Sequence, residues 1–393
     1  MSEYKKEDVS LYCKLLGFYF ACLILGSLRI GSVGSLLKLI GFMPIGLWLI
    51  EKRTINLNGI ILSAFLFVCW TVLSYVWTIE PSLTLTRLTS QVTFLLLMFS
   101  VSAYNYNENE VYFLKKALVW SSRFTAIVLL LTGTYSEGRL YLSGLINEDP
   151  NYLCGYFLFS VVWCIRLLLT KNIRMLRKAC AFAELFVYVY LLFSTGSRGG
   201  LFAVVAAAMM AIMLRGSTGE QSAAFKKIVV IVIVFLITAI VSNFLPSEIS
   251  ERYTYDSISS SRGTGRYDIW SDTINAFFDY PLIRKIIGYG AATFKQITFL
   301  YSFKYHNVAH NIFLENLAEL GIIGLSVYLN HLLNYVFPSI YKKNAYNCAV
   351  LTGLIVLSLS TSIQVFKPYW NIMIFVLVNE QATFCVEEGK EFL

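Results

Sequence analysis

Apolar residues in this chain come in blocks of helical-span length, separated by short polar connections. At an α-helical rise of about 1.5 Å per residue, roughly 20 apolar residues cross a bilayer. Such blocks fall near residues 11–28, 31–50, 59–77, 83–101, 112–133, 152–169, 179–194, 199–214, 227–245, 311–336, 346–363 and 370–385. They predict an all-α, polytopic membrane protein with about twelve transmembrane helices, forming one integral membrane domain over 1–393. The fourth block carries Arg87 and several threonines, and the last is short. One connection, 246–310, is far longer than the rest. Its aromatic and apolar content, as in YDIWSDTINAFF, predicts short helices folded against the membrane face.

Composition strengthens the membrane reading. Hydrophobic residues make up 57% of the chain and charged residues 14%, against about 25% charged in soluble domains. Mean hydropathy is +0.63. The polar start, MSEYKKEDVS, leads into an apolar run without a small-x-small cleavage site, so the first block reads as an uncleaved span. The eight cysteines show no CxxC spacing and fall mostly inside the blocks. They read as packing thiols and not as a zinc or disulfide framework.

The net charge of +8 is distributed in a way that argues against a nucleic-acid partner. With the N-terminus inside, the inner connections carry Lys52 and Arg53, Lys115 and Lys116, Lys171, Arg174, Arg177 and Lys178, Arg215, Lys226 and Lys227, and Lys342 and Lys343. The short outer ones carry Arg29, Arg139, Arg198 and Lys367. This alternation follows the positive-inside rule and predicts both termini in the cytoplasm. The 246–310 loop then lies outside. Its seven Lys/Arg and six Asp/Glu leave it nearly neutral, unlike a polybasic arm.

Four stretches on the predicted outer side carry candidate chemistry. In STGSRGG, Ser194 to Gly200, Arg198 stands among small residues that allow close backbone approach and anion binding. A tight helical hairpin with a snorkelling arginine fits as well. In SSSRGTGRYDIW, Ser259 to Trp270, Arg262 and Arg266 could form guanidinium forks for phosphate oxygens, or pair with Asp268 and Asp272. In VAHNIFLENLAELGIIGL, His310 and Asn311 stand at the mouth of a span. Asn311 suits a helix cap, and Asn311, Glu315 and Glu319 share one helical face that must point into protein or water. His306 stands near enough to be the working histidine instead. In INEDPNYLCGY, Asp-Pro and Asn151 mark a turn that starts a span, with Arg139 preceding it. No GxGxxG, GxxxxGK[ST], HExxH, GxSxG or DxD pattern is present. Nucleotide-sugar donors are made on the other side of the membrane, so a donor for this side must arrive by lipid or from outside.

These stretches together resemble the O-antigen ligase and O-antigen polymerase superfamily of bacterial membrane glycosyltransferases. His310, Asn311, Leu314, Glu319, Gly321 and Gly324 match, in order, a His-Asn…Leu…Glu…Gly…Gly pattern. STGSRGG resembles the family's Ser-Arg-Gly turn, GRYDIW its Arg…Ile-Trp segment, and DPNYLCG its Asp/Asn-Pro-Asn…Gly stretch. The resemblance covers residues 140–330. It implies a bacterial inner-membrane enzyme that takes a glycan from undecaprenyl diphosphate to an acceptor hydroxyl on the extracytoplasmic side, with no metal and no cofactor. His310, Arg198 and Arg266 are expected to be catalytic. Arg139, Asn151, Arg262, Asn311 and Glu319 are expected to bind substrate, with Glu319 orienting an Arg or His or holding the helix. The implied partners are the lipid-linked glycan, a glycan or lipid-linked acceptor, membrane lipids, a flippase and a chain-length regulator. The favoured activity is polymerisation of capsular, O-antigen or exopolysaccharide repeat units. Ligation of glycan to lipid A-core is the alternative within the family. A secondary transporter, which would place ionisable groups near the bilayer midplane, is the alternative of another class.

Overall fold

The structure is a computed structural model that describes residues 8–30, 34–136, 138–144, 146, 148–170, 173–214, 240, 247–251, 253–254 and 265–382. The helices are α1 Leu11–Ala21, α2 Leu36–Glu51, α3 Gly59–Leu73, α4 Pro81–Ser102, α5 Glu108–Thr132, α6 Pro150–Leu169, α7 Met175–Ser194 and α8 Arg198–Met213. They continue with α9 Ser247–Glu251, α10 Arg266–Asp279, α11 Leu282–Ile287, α12 Phe294–Leu300, α13 Ile312–Tyr341, α14 Ala345–Ser358 and α15 Lys367–Gln381. The expected span at 227–245 lies, apart from residue 240, outside the described residues, as does Arg262.

Local sequence sets the helix ends. Asn58 accepts a hydrogen bond from the Ile61 backbone N–H at 2.9 Å, and Asn107 and Glu110 form a capping box at the start of α5. Asp149 caps α6 with Pro150 in the first turn. Among the described residues, four helical stretches are long and apolar enough to cross a membrane: Gly59–Val76, Pro81–Ser102, Pro150–Leu169 and Ile312–Tyr341.

The bundle is inside-out at its surface. Residues 153–162 of α6 and 368–378 of α15 are buried throughout, forming the centre. Leu62, Phe65, Leu66 and Leu73 of α3 and Ile322, Leu333 and Phe337 of α13 face outward. In water, so much apolar outer surface would drive association; in lipid it is the expected face. The protein is therefore read as membrane-embedded.

Two features depart from the all-α expectation. Arg29–Ile30 (β1) pairs antiparallel with Gly34–Ser35 (β2), and Gly133–Ser136 (β3) with Arg139–Leu142 (β4). The second hairpin precedes the expected Asp-Pro-Asn turn, which is present as the capped start of α6.

The described part of 246–310 contains the short helices α9 to α12. Around α10–α12, Ile269, Tyr280, Tyr289, Phe294 and Phe303 form a small core separate from the main one. It is pinned to the bundle by polar links: Trp77 donates to Ile287 O at 3.1 Å, and Arg284 to Trp77 O at 3.0 Å. Gly321 interrupts α13 with φ of 70°, and a Cβ there would lie 2.3 Å from Ile286 O. Only glycine fits this left-handed position against another backbone.

Candidate functional site

The α7–α8 turn is the first wall of the site. Gly196, at φ of 61°, ends α7, and Ser197 caps α8 by accepting from the Gly200 N–H at 3.3 Å. Arg198 is the first residue of α8. The glycines serve close packing: a Cβ on Gly200 would lie 2.4 Å from Cys154 Cβ, and one on Gly199 would lie 2.3 Å from Ser360 Oγ. The same added Cβ on Gly199 would lie 3.3 Å from Arg266 Nη1, so the Ser-Arg-Gly turn and the loop arginine come together here.

The second wall is the β3–β4 hairpin. Arg139, at the start of β4, donates to Thr195 O at 3.0 Å and to Asn151 Oδ1 at 2.9 Å. Asn151 is held in turn by Asp149, which accepts from its backbone N–H at 2.7 Å and its amide at 2.8 Å. One chain of bonds thus joins hairpin, α6 start and α7–α8 turn.

The third wall comes from the loop. Arg266 opens α10 behind Gly265, whose φ is 80°. One turn on, Trp270 donates to Ala309 O at 2.8 Å, directly before His310. That bond brings Arg266 and His310 to the same corner. His310 has φ of 49°, an uncommon conformation for a residue with a side chain and one that concentrates at functional sites. Asn311 follows as the α13 cap, accepting from Phe313 N–H at 3.0 Å and Leu314 N–H at 3.2 Å.

The electrostatics of the corner are those of gathered like charge. Burial lowers the Arg266 pKa; Arg139 and Arg198 lower it further, and Asp149 opposes them. Burial also brings His310 down to about 4, with Arg266 and then Arg139 pushing the same way against Asp149. Its imidazole is neutral at neutral pH and can accept a proton. Among the described residues, no carboxylate lies within ion-pair distance of Arg139 or Arg266, and no His/Cys/Asp/Glu cluster suits a metal ion.

The remaining candidates lie away from this corner. Asp268 pairs with Lys304 Nζ at 2.9 Å, and Asp272 accepts from the Lys304 N–H at 3.0 Å, so neither pairs with Arg266. His306 stacks on Phe299 with ring centroids 4.0 Å apart and meets Thr298 Oγ1 at 3.3 Å. His331 is buried against Ser63 Oγ at 3.1 Å. Glu319, also wholly buried, binds Arg87 and accepts from the backbone N–H of Ala292 at 3.0 Å and of Phe294 at 2.9 Å. Arg87 also donates to Glu315 at 3.1 Å and to Gln364. Glu319 thus orients an arginine and ties α13 to the segment before α12. Arg87 is the partner that the sequence reading missed. Its signal was present: a charge inside an apolar block requires a partner.

An O-antigen ligase family model matches residues 183–329, a stretch that contains Arg198, Arg266, His310 and Glu319. No curated protein sequence matches the chain. Among solved structures, a chain from work on "Structural coordination of polymerization and crosslinking by a peptidoglycan synthase complex" aligns over 82% of this chain and 96% of its own length, at 15% identity and a TM-score of 0.46. Over residues 183–329, the chain is therefore similar to the O-antigen ligase family.

Proposed function

We propose that this protein is a membrane glycosyltransferase that polymerises repeat units of a surface polysaccharide, taking glycan from undecaprenyl diphosphate on the extracytoplasmic side. The observation that carries this reading is the meeting of Arg139, Arg198, Arg266 and His310, from four separate stretches of chain, at one corner. Like charges gathered at a half-buried corner, with the field of Asp149 opposing them, favour an incoming anion. A diphosphate supplies that anion. Planar guanidinium forks suit its oxygens and the charge that develops on them.

In the proposed step, the acceptor hydroxyl oxygen attacks the anomeric carbon. The new glycosidic C–O bond forms as the anomeric carbon–phosphate oxygen bond breaks, and undecaprenyl diphosphate leaves with the bonding pair. His310 takes the hydroxyl proton. Its low basicity in the empty site comes from burial first and the arginines second. A bound diphosphate offsets the arginine part, raising the imidazole's proton affinity where the proton is released. Arg139 and Asn151 would hold the donor edge of the site, while Glu319 would act through Arg87 and the loop and not on the sugar.

Further proposals follow from the same reading. The chain spans the inner membrane about twelve times, with both termini in the cytoplasm, and 246–310 forms the extracytoplasmic loop over the site. The functional test supplies purified protein with lipid-linked repeat unit alone. Growth of a lipid-linked polymer supports a polymerase. Transfer that requires lipid A-core, with no chain growth, identifies a ligase. Absence of transfer under both conditions with active-site titration intact contradicts the enzyme reading.

A further inference from the structure

Helix α10 carries more apolar surface than its own core uses. At about 100° per residue, its side chains divide into three stripes. Ile269, Thr273 and Ala276 are buried against the rest of the loop. Asp268, Asp272, Asn275 and Asp279 form a polar stripe, with Lys304 paired to Asp268 at 2.9 Å. Tyr267, Ile274 and Phe278 form a third stripe, apolar and exposed, and Phe278 keeps 69% of its surface open. A helix packed on one core needs one apolar stripe. The second continues into α11, where Leu282, Ile283 and Ile286 are also exposed. A patch of this kind marks an interaction surface.

The bundle beside α11 indicates what covers this surface. The stretch Gly59–Val76 is long and apolar enough to cross a membrane, and it ends on exposed Tyr75 and Val76. Trp77 follows and donates to the backbone oxygen of Ile287, the last residue of α11, at 3.1 Å. Tyrosine and tryptophan at the end of a span mark the membrane–water interface. Gly321 of α13 packs closely on the Ile286 backbone, and the next residue, Ile322, is exposed on the outward face of α13. The exposed apolar faces of α3, α11 and α13 are thus continuous, and those of α3 and α13 already belong to the lipid-facing surface. Lys285, half-buried beside Ile286, has the long stem that carries an ammonium from apolar surface to headgroups. The acidic stripe of α10 lies about a third of the way round the helix from the apolar one, so the two can face water and lipid at once.

We propose that the exposed apolar stripe of α10 and α11, from Tyr267 to Ile286, is inserted in the lipid leaflet on the loop's side of the membrane, as an interfacial amphipathic anchor. The inference rests on the bundle being membrane-embedded and not on the transferase reading. The stripe starts at Tyr267, directly after Arg266. The anchor therefore also holds the opening of the arginine corner at the membrane surface.

The test places the photo-crosslinking residue p-benzoylphenylalanine singly at Tyr267, Phe278 or Ile283 of the full-length protein in phosphatidylglycerol–phosphatidylcholine liposomes. The same replacement at Leu333, on the outward face of α13, is the lipid-facing control, and at Asn275, exposed on the polar stripe, the aqueous one. An unchanged thermal midpoint verifies folding. After irradiation, mass spectrometry reads lipid adducts and cross-linked protein. Lipid adducts should form at Phe278 and Ile283 as abundantly as at Leu333, and about tenfold more than at Asn275. Adducts no more abundant than at Asn275 overturn the proposal. So does cross-linking to a second copy of the chain in place of lipid, which would make the patch a dimer interface. Lipid adducts at Phe278 and Ile283 with none at Tyr267 overturn the extension of the anchor to Arg266.

Discussion

Arg87 and Arg266 are both arginines withdrawn from solvent, but their company is opposite. Arg87 meets the carboxylates of Glu315 and Glu319 and the amide of Gln364. Arg266 meets Gly199, a neutral imidazole and the fields of Arg139 and Arg198. Balanced charge of the first kind holds structure together: it links α4, α13 and the segment leading to α12. Like charge of the second kind, opposed by the field of Asp149, is the basis on which an incoming anion is proposed. The same residue type, some distance along the same fold, thus forms a clamp in one region and the proposed binding site in the other.

That contrast should separate activity from stability. The largest effect is expected at His310, where His310→Ala should slow transfer by about 10²–10⁴-fold with donor binding largely kept. Rates and donor affinity measured on the same preparation check this. His306→Ala should stay close to wild type, because His306 stacks on Phe299 and meets Thr298 at the exposed loop surface, away from the arginine corner. If His306→Ala is inactive and His310→Ala is active, the working histidine has been misassigned. His331 is a poor control, since it is buried between Ser63 and Trp370 and its removal would disturb packing.

At the clamp, Arg87→Ala should cost about 3–5 kcal/mol, because it strands two buried carboxylates. A thermal or denaturant midpoint should drop together with protein yield. Replacing Arg87 and both glutamates with apolar residues of similar volume should recover much of that loss, as a matched cluster permits. A single variant with wild-type stability would show that the cluster is not a clamp.

A smaller effect is expected in the pH profile. His310 has its pKa lowered to about 4 by burial and by Arg266 and Arg139, so its basic form persists above about pH 4 and is lost only below it. The acid limb of kcat/KM, which reports the free enzyme, should therefore fall well below the ordinary histidine value of about 6.5. Arg139→Gln removes one depressing charge and should move the limb upward. A wild-type limb near the ordinary value would indicate a better-solvated imidazole. The smallest effect belongs to the exposed Lys304–Asp268 pair, where Asp268→Asn should change stability by less than about 1 kcal/mol.

Much of the site was legible because its parts are short local patterns. Glycine after Arg198, Trp270 one turn beyond Arg266, and a cap directly after His310 each leave a mark in sequence. The helical, membrane-like character of the chain was legible from composition, while among the described residues four helical stretches, against about twelve expected, are long and apolar enough to span. Pairings across the fold were not legible. Arg87 and Glu319 stand 232 residues apart, and nothing local says which carboxylate a buried arginine will meet. Asp268 shows the reverse error: proximity in sequence suggested Arg266, while the fold supplied Lys304. The β3–β4 hairpin was hidden because four-residue strands leave too few positions for alternation to stand out.

The central claim is that the arginine corner binds the diphosphate of a lipid-linked donor. Its most direct measurement is donor affinity and single-turnover transfer for purified Arg266→Ala and Arg266→Lys proteins, with folding verified by the thermal midpoint. The account predicts an unchanged midpoint in both. Arg266→Ala should lose about 10²–10³-fold in transfer, with weakened donor binding. Arg266→Lys should recover only part of that loss, since lysine keeps the charge without the planar fork. Wild-type donor affinity and wild-type transfer in Arg266→Ala would contradict it.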